Sequence, residues 1–255
     1  MIVVGQDTSA GSTAAAAHGS RPSSRLWLIR HAQASFGSAD YDKLSERGEQ
    51  QAQRLAQWLT ADADLEFAHV VCGTLRRHVQ TLQPIVAAFA AAGRALPQPE
   101  QDADWNEFQH EAVVRAWATT HAEHPLLAAA RNNAHDRRTI HELLAEALHS
   151  WARGELDGGV PETWPEFGAR VARARARLES LPRGKILVIS SGGPISRSAQ
   201  IALGCDEQRA VKLNLGLRNT ALSEFRAHGD DWEMQTWNML PHLASAADKG
   251  WVTYY

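Results

Sequence analysis

An arginine and a histidine stand side by side directly after a short apolar run in this chain. The run Leu26–Ile29 is bounded and apolar, as in a buried β-strand, so Arg30 and His31 are predicted to lie at its carboxyl end. In open α/β sheets ligands bind at that edge. A guanidinium could hold an anion there while the imidazole attacks it. The alternative is a basic pair that caps a strand at the surface, and two residues alone do not decide between them.

Two further strand ends carry residues suited to binding an anion. Arg76 and Arg77 open a helix after the predicted strand 67–72, where basic side chains oppose the helix dipole unless an anion binds at the same end. The apolar strand Lys185–Ser190 runs into Ser191-Gly192-Gly193-Pro194. Pro194 suits the first helical position, so this turn predicts a helix N-terminus, which can bind phosphate through its free amides.

The elements that must position these residues alternate along the chain. Ser45 is a predicted N-cap for a helix to about Thr60. Further helices are predicted with Leu75, Val79, Leu82, Val86 and Phe89 facing inward, over about 165–181 with Arg170, Arg173 and Arg177 facing solvent, and from Pro194 to a Gly204 cap. A helical insertion at 108–160 and two late strands, 219–225 and 232–237, complete the order. This predicts a three-layer αβα fold with a mainly parallel sheet and a helical lid over its carboxyl edge.

Composition excludes several classes of protein. The chain has 255 residues and a net charge of −3, so no basic field favours nucleic acid or an anionic membrane. It contains no uninterrupted apolar run long enough to span a bilayer. Cys72 and Cys205 lie in apolar contexts, which predicts two buried, reduced thiols and a cytoplasmic location. Residues 1–24 are rich in Ala, Ser, Thr and Gly and are predicted to be a disordered tail before one domain, 25–255.

Four motifs in order resemble the histidine phosphatase superfamily, the phosphoglycerate-mutase-like group. Its opening Arg-His-Gly appears as Arg30-His31-Ala32, and its Leu-x-Arg-x-x-Gln-Thr pattern appears as 75–81, which selects Arg77 over Arg76. Its acid matches Glu107 in Trp105-Asn106-Glu107. The late motifs match Asn219 and the Asn-x-x-x-His-Leu pattern at 238–243. The resemblance covers about residues 25–243.

The resemblance implies a phosphatase that acts on a small phosphorylated metabolite without a metal or other cofactor. Arg30 and Arg77 would grip the phosphoryl oxygens through charge-assisted hydrogen bonds. A neutral His31 would attack phosphorus, which requires one ring nitrogen free and the other held by an acceptor such as a backbone carbonyl. Glu107 would be the general acid that protonates the leaving group.

The chain departs from the family pattern at two positions. Ser191 stands where the family has a second histidine, and Ala32 stands where it has glycine. Ser191 with the Gly192 and Gly193 amides could supply neutral hydrogen bonds to phosphate. His110, or next His78, could replace the missing histidine. Otherwise the site could bind phosphate without turnover.

Other chemistries are weaker matches. Ser191 lacks the full Gly-x-Ser-x-Gly elbow of a serine hydrolase. His121 and His124 with His135 or His141 have no cysteine or carboxylate cluster to complete a metal site, and solvated helix histidines explain them better. Two functional alternatives remain, a non-catalytic phospho-ligand binding protein and a phosphotransferase of the mutase type. The arginines of the 108–160 insertion hint at an anionic leaving group.

Overall fold

A six-stranded sheet forms the centre of the protein. The computed structural model describes residues 23–35, 42–133, 136–156, 158–228 and 231–254. The strands are β1 Ser24–Arg30, β2 His69–Cys72, β3 Glu100–Gln101, β4 Lys185–Ser190, β5 Leu222–His228 and β6 Asp231–Met239. They lie in the order β3-β2-β4-β1-β5-β6, and β5 alone runs antiparallel to its two neighbours. The prediction of a mainly parallel sheet is confirmed.

The described residues form eight α-helices: α1 Glu46–Ala61, α2 Arg76–Ala91, α3 His110–Thr120, α4 Pro125–Asn132, α5 Arg137–Ala152, α6 Trp164–Ser180, α7 Gly192–Leu203 and α8 Glu207–Gly216. Ser45 caps α1 by accepting the amide proton of Gly48 at 3.0 Å, and Gly204 ends α7 in the left-handed region. No helix in the part of the chain that is described is long and apolar enough to cross a membrane.

Alternate residues of the central strands pack on opposite faces of the sheet. Leu26 and Leu28 of β1 face a core completed by α6 and α7, whereas Ile29 faces a core completed by α1 and α2. Trp117 and Trp151 of the helical insertion form a third core together with Trp164 and Phe167 of α6 and with α8. The insertion is therefore packed against the rest of the protein through buried aromatic side chains.

Several predicted details were wrong. Val86 is 37 % exposed and Ile85 is fully buried instead, because the inward face of α2 runs through Arg77, His78 and Thr81. Helix α7 begins two residues before Pro194, and α8 was not predicted, since it contributes only Ala210 and Val211 to the core as fully buried residues. Cys72 is buried as expected, but Cys205 is only partly buried; both are free thiols.

The prediction that the arginines of α6 simply face solvent was also wrong, because they bind other segments of the chain. Arg170 donates to the backbone carbonyls of Asp104 and Asn106 and pairs with Glu162 through two nitrogens. Arg173 and Arg177 pair with carboxylates at 102 and 104. Together they hold the segment that leads to Glu107.

Residues 1–22 of the predicted N-terminal tail lie outside the described residues, and Ser24, the last residue of that predicted tail, belongs to β1.

Candidate active site

His31 follows β1, and its ring is held in one tautomer by the backbone carbonyl of the next residue, Ala32. Its amide donates to the carbonyl of Ser190 at 2.8 Å, and the ring is 4 % exposed. Nδ1 lies 2.7 Å from the carbonyl oxygen of Ala32, which can only accept, so Nδ1 carries the proton. Nε2 then keeps its lone pair. Burial, with Arg77, Arg30 and His78 nearby, lowers the pKa of His31 well below its ordinary value, so the ring is neutral at pH 7.

The loop after His31 is anchored by the motif that begins at Leu75. The amide of Ala32 donates to Thr81 Oγ1 at 3.0 Å, and the amide of Leu44 donates to Gln80 Oε1 at 2.9 Å. The methyl group of Ala32 is fully buried in a small cluster with Leu44 and Ala52. Alanine in place of the family's glycine therefore fits this loop, and the methyl group adds packing.

The two arginines are fixed from different elements. Arg30 donates through Nη1 to the carbonyl of Leu217. Arg77, on α2, is almost fully buried and pairs with Asp42 at 2.8 Å. The other oxygen of Asp42 accepts the amide of Arg76 at 2.7 Å. The anion predicted for the N-terminus of α2 is thus represented here by a carboxylate of the chain itself.

Glu107 is fixed by the start of α7. Its carboxylate accepts the amide proton of Gly193, with both oxygens within 3.2 Å, and that of Phe108 at 3.3 Å. A Cβ on Gly193 would stand 2.1 Å from Glu107 Oε1, so only glycine allows this approach. The expected role of the Gly193 amide as a phosphate ligand is not observed, because Glu107 already occupies it.

Ser191 directly follows β4, and its hydroxyl is hydrogen-bonded to a histidine. Its Oγ is 2.6 Å from His78 Nε2, and both residues are fully buried. The His78 ring lies 5.6 Å, centroid to centroid, from that of His31. Burial, and then Arg77, lowers the pKa of His78 well below its ordinary value. Gly73 makes room for this ring, since a Cβ there would stand 2.1 Å from Nδ1.

The structure brings five of the predicted residues to one cavity of about 1030 Å³: Arg30, His31, Arg77, Glu107 and His110. Ser191 and Gly192 do not line it. Gly192 lies behind Arg30, whose guanidinium carbon would be 3.7 Å from a Cβ on that glycine. His110 starts α3, and burial lowers its pKa, an effect partly opposed by Glu107.

The two motifs near the C-terminal end of the chain, at Asn219 and at 238–243, supply hydrogen bonds next to the site. Asn219 donates through Nδ2 to the carbonyl of His31 at 3.2 Å and accepts from Thr253. His242 lies 2.9 Å from the hydroxyl of Thr220. The importance of Asp42, Gly73 and Thr253 was missed by sequence reasoning, because each acts on residues distant in the chain, and the Gly193 amide was assigned to phosphate rather than to Glu107.

The described residues hold no group of three or more His, Cys, Asp or Glu arranged to bind a metal ion. His121 and His124 instead pack against Trp117, with ring centroids 4.7 and 5.0 Å away. His135 lies outside the described residues.

Solved structures share this fold at low sequence identity. The phosphoserine phosphatase mutant of Entamoeba histolytica, in complex with phosphoserine, is 19% identical with a TM-score of 0.58, covering 86% of this chain and 99% of its own. A mycobacterial glucosyl-3-phosphoglycerate phosphatase is 20% identical with a TM-score of 0.56, covering 86% and 100%. The α-ribazole phosphatase of Shigella flexneri is 21% identical with a TM-score of 0.54, covering 84% and 96%.

A search of curated proteins finds no match. The family model of the histidine phosphatase superfamily, branch 1, matches residues 26–240. That match spans most of the chain, including the motifs at β1, α2 and β4. The chain belongs to the histidine phosphatase superfamily.

Proposed function

We propose that this protein is a phosphatase that hydrolyses a phosphomonoester through a phosphohistidine at His31. One observation carries the proposal: a buried imidazole whose Nδ1 is committed to the Ala32 carbonyl faces the same cavity as Arg30, Arg77 and Glu107. A neutral imidazole with a free Nε2 is a nucleophile, and two guanidinium groups beside it match the charge of a phosphate dianion.

The reaction has two steps, and both use Glu107. Nε2 of His31 attacks phosphorus while the ester P–O bond breaks, and the leaving oxygen takes a proton from Glu107. Water then attacks the phosphohistidine and gives a proton back to Glu107, and phosphate leaves. Arg30 and Arg77 stabilise the phosphoryl oxygens in both transition states, where most of the catalysis of phosphoryl transfer originates.

Arg77 exchanges partners when the ester binds. It is paired with Asp42 in this structure, and a phosphate dianion that reaches the guanidinium competes with that carboxylate. Asp42 remains able to accept the amide proton of Arg76 at the start of α2, so the helix keeps its cap.

The position of the family's second histidine is proposed to be Ser191, with Gly192 after it. Ser191 is hydrogen-bonded to His78, whose ring lies 5.6 Å from that of His31, whereas His110 lines the cavity itself, as does His141 of the insertion. The role of the second histidine therefore falls to one of two groups, the Ser191–His78 pair or His110. The two are separated by substitution, as argued in the Discussion.

Turnover of 4-nitrophenyl phosphate by the wild type and by His31→Ala tests the proposal. We expect turnover to be lost in His31→Ala and kept in His69→Ala, a matched change on β2 whose ring contacts the Pro182 carbonyl. Quenching into base with a ³²P-labelled substrate should trap label on the wild type only. Equal turnover in wild type and His31→Ala would contradict the role of His31. Phosphate binding without turnover in either protein would favour the non-catalytic alternative.

Phosphate exchange between isomeric phosphorylated acids separates hydrolysis from mutase chemistry. In a hydrolase, water consumes the phosphohistidine, so added acceptor should not recover the label. Transfer of label to an acceptor at a rate comparable with phosphate release would support the phosphotransferase alternative.

A further inference from the structure

The cavity over the site is much larger than the phosphoryl group, and one of its walls is apolar. Its volume of about 1030 Å³ is at the upper end of the roughly 300–1,000 Å³ of ordinary ligand pockets. Arg30, His31, Arg77 and Glu107 form its charged end. The rest of the space extends under the insertion, against helices α3 and α5.

Helices α3 and α5 present aliphatic side chains to this space. Val114 and Ala118 of α3, with Ile140, Leu143 and Leu144 of α5, line the cavity, and each is only partly buried by the protein. Leu215 of α8 lines it from the other side. Partly exposed aliphatic side chains gathered on one concave wall favour an apolar ligand, because a ligand removes their surface from water.

Beyond the catalytic end, the acidic side chains and the arginines that line the cavity are equal in number. Glu46 and Arg47 lie adjacent on α1, and Glu111 and Arg115 lie one turn apart on α3. All four are exposed. Two acids and two arginines at the mouth give no excess of positive charge to pair with a second anionic group, so the earlier hint of an anionic leaving group is not supported.

We infer that the substrate is the phosphate monoester of a bulky apolar alcohol, whose hydrocarbon part lies against α3 and α5. The inference rests on the proposed function for its charged end. It excludes as preferred substrates small esters that carry a carboxylate in addition to the phosphate, such as phosphoserine. The hydrocarbon part supplies binding energy by burial, and Tyr254 at the mouth adds an aromatic contact.

Binding of alkylphosphonates tests this without turnover, since their P–C bond is not hydrolysed. In a calorimetric series from ethyl to octyl, we expect the Kd to fall with each added methylene, by up to about fourfold per group. Methyl-branched and aryl phosphonates should bind at least as well as linear ones of equal carbon number. A Kd independent of chain length, or tighter binding of phosphoserine than of octylphosphonate, would overturn the inference.

The matching kinetic series uses alkyl phosphates, whose leaving groups differ little in reactivity. We expect KM to fall along the series. If every member is hydrolysed at one KM, the apolar assignment fails and the phosphatase stands. If no ester is hydrolysed but phosphonate affinity still rises with chain length, the phosphatase fails and the apolar site stands.

Leu144→Gln places an amide on the wall and should abolish most of the chain-length dependence. Leu203→Gln is the matched control, because Leu203 is 50% exposed at the end of α7 and outside the cavity. Inorganic phosphate inhibition reports whether the charged end is intact in each variant. Unchanged chain-length dependence in Leu144→Gln, with phosphate inhibition intact, would count against the proposed wall.

Discussion

His78 Nε2 and Ser191 Oγ lie 2.6 Å apart, and neither residue is exposed to solvent. The hydrogen bond joins the first turn of α2 to the residue that follows β4, and the His78 ring lies 5.6 Å, centroid to centroid, from that of His31. Ser191 is the residue proposed above for the position of the family's second histidine, and it contacts a buried imidazole from another helix.

The first prediction is that His78 and Ser191 act as a unit. His78→Ala and Ser191→Ala each leave a buried polar atom without its partner, which costs about 1–3 kcal/mol. The double variant should therefore be less destabilised than the sum of the single variants, by about 1–2 kcal/mol. Urea unfolding of the four proteins measures this coupling.

Turnover in the same variants decides which group replaces the second histidine. If the pair does so, kcat should fall at least tenfold in His78→Ala and Ser191→Ala, with little change in KM, and stay near wild type in His110→Ala. Gly73→Ala is a second route, since its methyl group would displace the His78 ring. A large loss of kcat confined to His110→Ala would instead assign the role to His110.

The second prediction concerns the proton that Glu107 is proposed to deliver. Glu107→Gln keeps an oxygen that can accept from the Gly193 amide, so the local structure should persist. It cannot donate an acidic proton, and such donors contribute about 10²–10⁴-fold. We expect kcat to fall by that order for alkyl phosphates and by much less for 4-nitrophenyl phosphate, whose leaving group needs no proton. Equal losses for both substrates would argue against a general acid.

The predicted strand ends in the sequence indicated which basic residues would lie close together. Arg30, His31 and Arg77 were expected to meet because β1 and β2 are parallel and end at the same edge, and they do line one cavity. The tautomer of His31 could be expected, since a backbone carbonyl is a common acceptor. The contact between His78 and Ser191 could not, because 113 residues separate them and neither type predicts the other as its partner.

Long polar side chains were the least predictable part of the fold. The spacing of Arg170, Arg173 and Arg177 on α6 is the same whether they meet water or another segment. Only the packing of 102–106 against that helix made them partners. The inward face of α2 was misassigned for a related reason, because its buried positions include Arg77 and His78, which hydropathy places outside.

The third prediction separates two of these arginines. Arg170 is mostly buried and holds the carbonyls of Asp104 and Asn106, next to Glu107. Arg170→Ala should lower kcat for alkyl phosphates several-fold, because the segment that carries Glu107 loses two hydrogen bonds. Arg177→Ala removes only half-exposed pairs with the carboxylates of Asp102 and Asp104, so it should change stability by about 1 kcal/mol or less and leave kcat unaltered. Similar kcat in both variants would show that this segment does not need Arg170.

The fourth prediction is that acid destabilises the fold well above the pH at which carboxylates titrate. Burial holds the pKa of His31 and His78 well below its ordinary value and lowers that of His242 to about 4. Below about pH 6.5 the unfolded chain therefore binds protons that the folded chain does not, so the unfolding free energy falls as pH falls. Each such histidine contributes about 1.3 kcal/mol between pH 7.5 and 5.5.

A carboxylate whose pKa is lowered in the folded protein follows the same relation, but at lower pH. The side-chain hydrogen bond from Arg153 lowers the pKa of Glu155 to about 2, so its contribution is present above its unfolded pKa of about 4.5 and is lost below it. The interval from pH 7.5 to 5.5 consequently reports the histidines. His242→Gln, which can still reach the Thr220 hydroxyl, should reduce the loss over that interval by about 1 kcal/mol. Urea unfolding followed by tryptophan fluorescence at both pH values measures it, and an unfolding free energy that stays constant over the interval would contradict neutral burial of these rings.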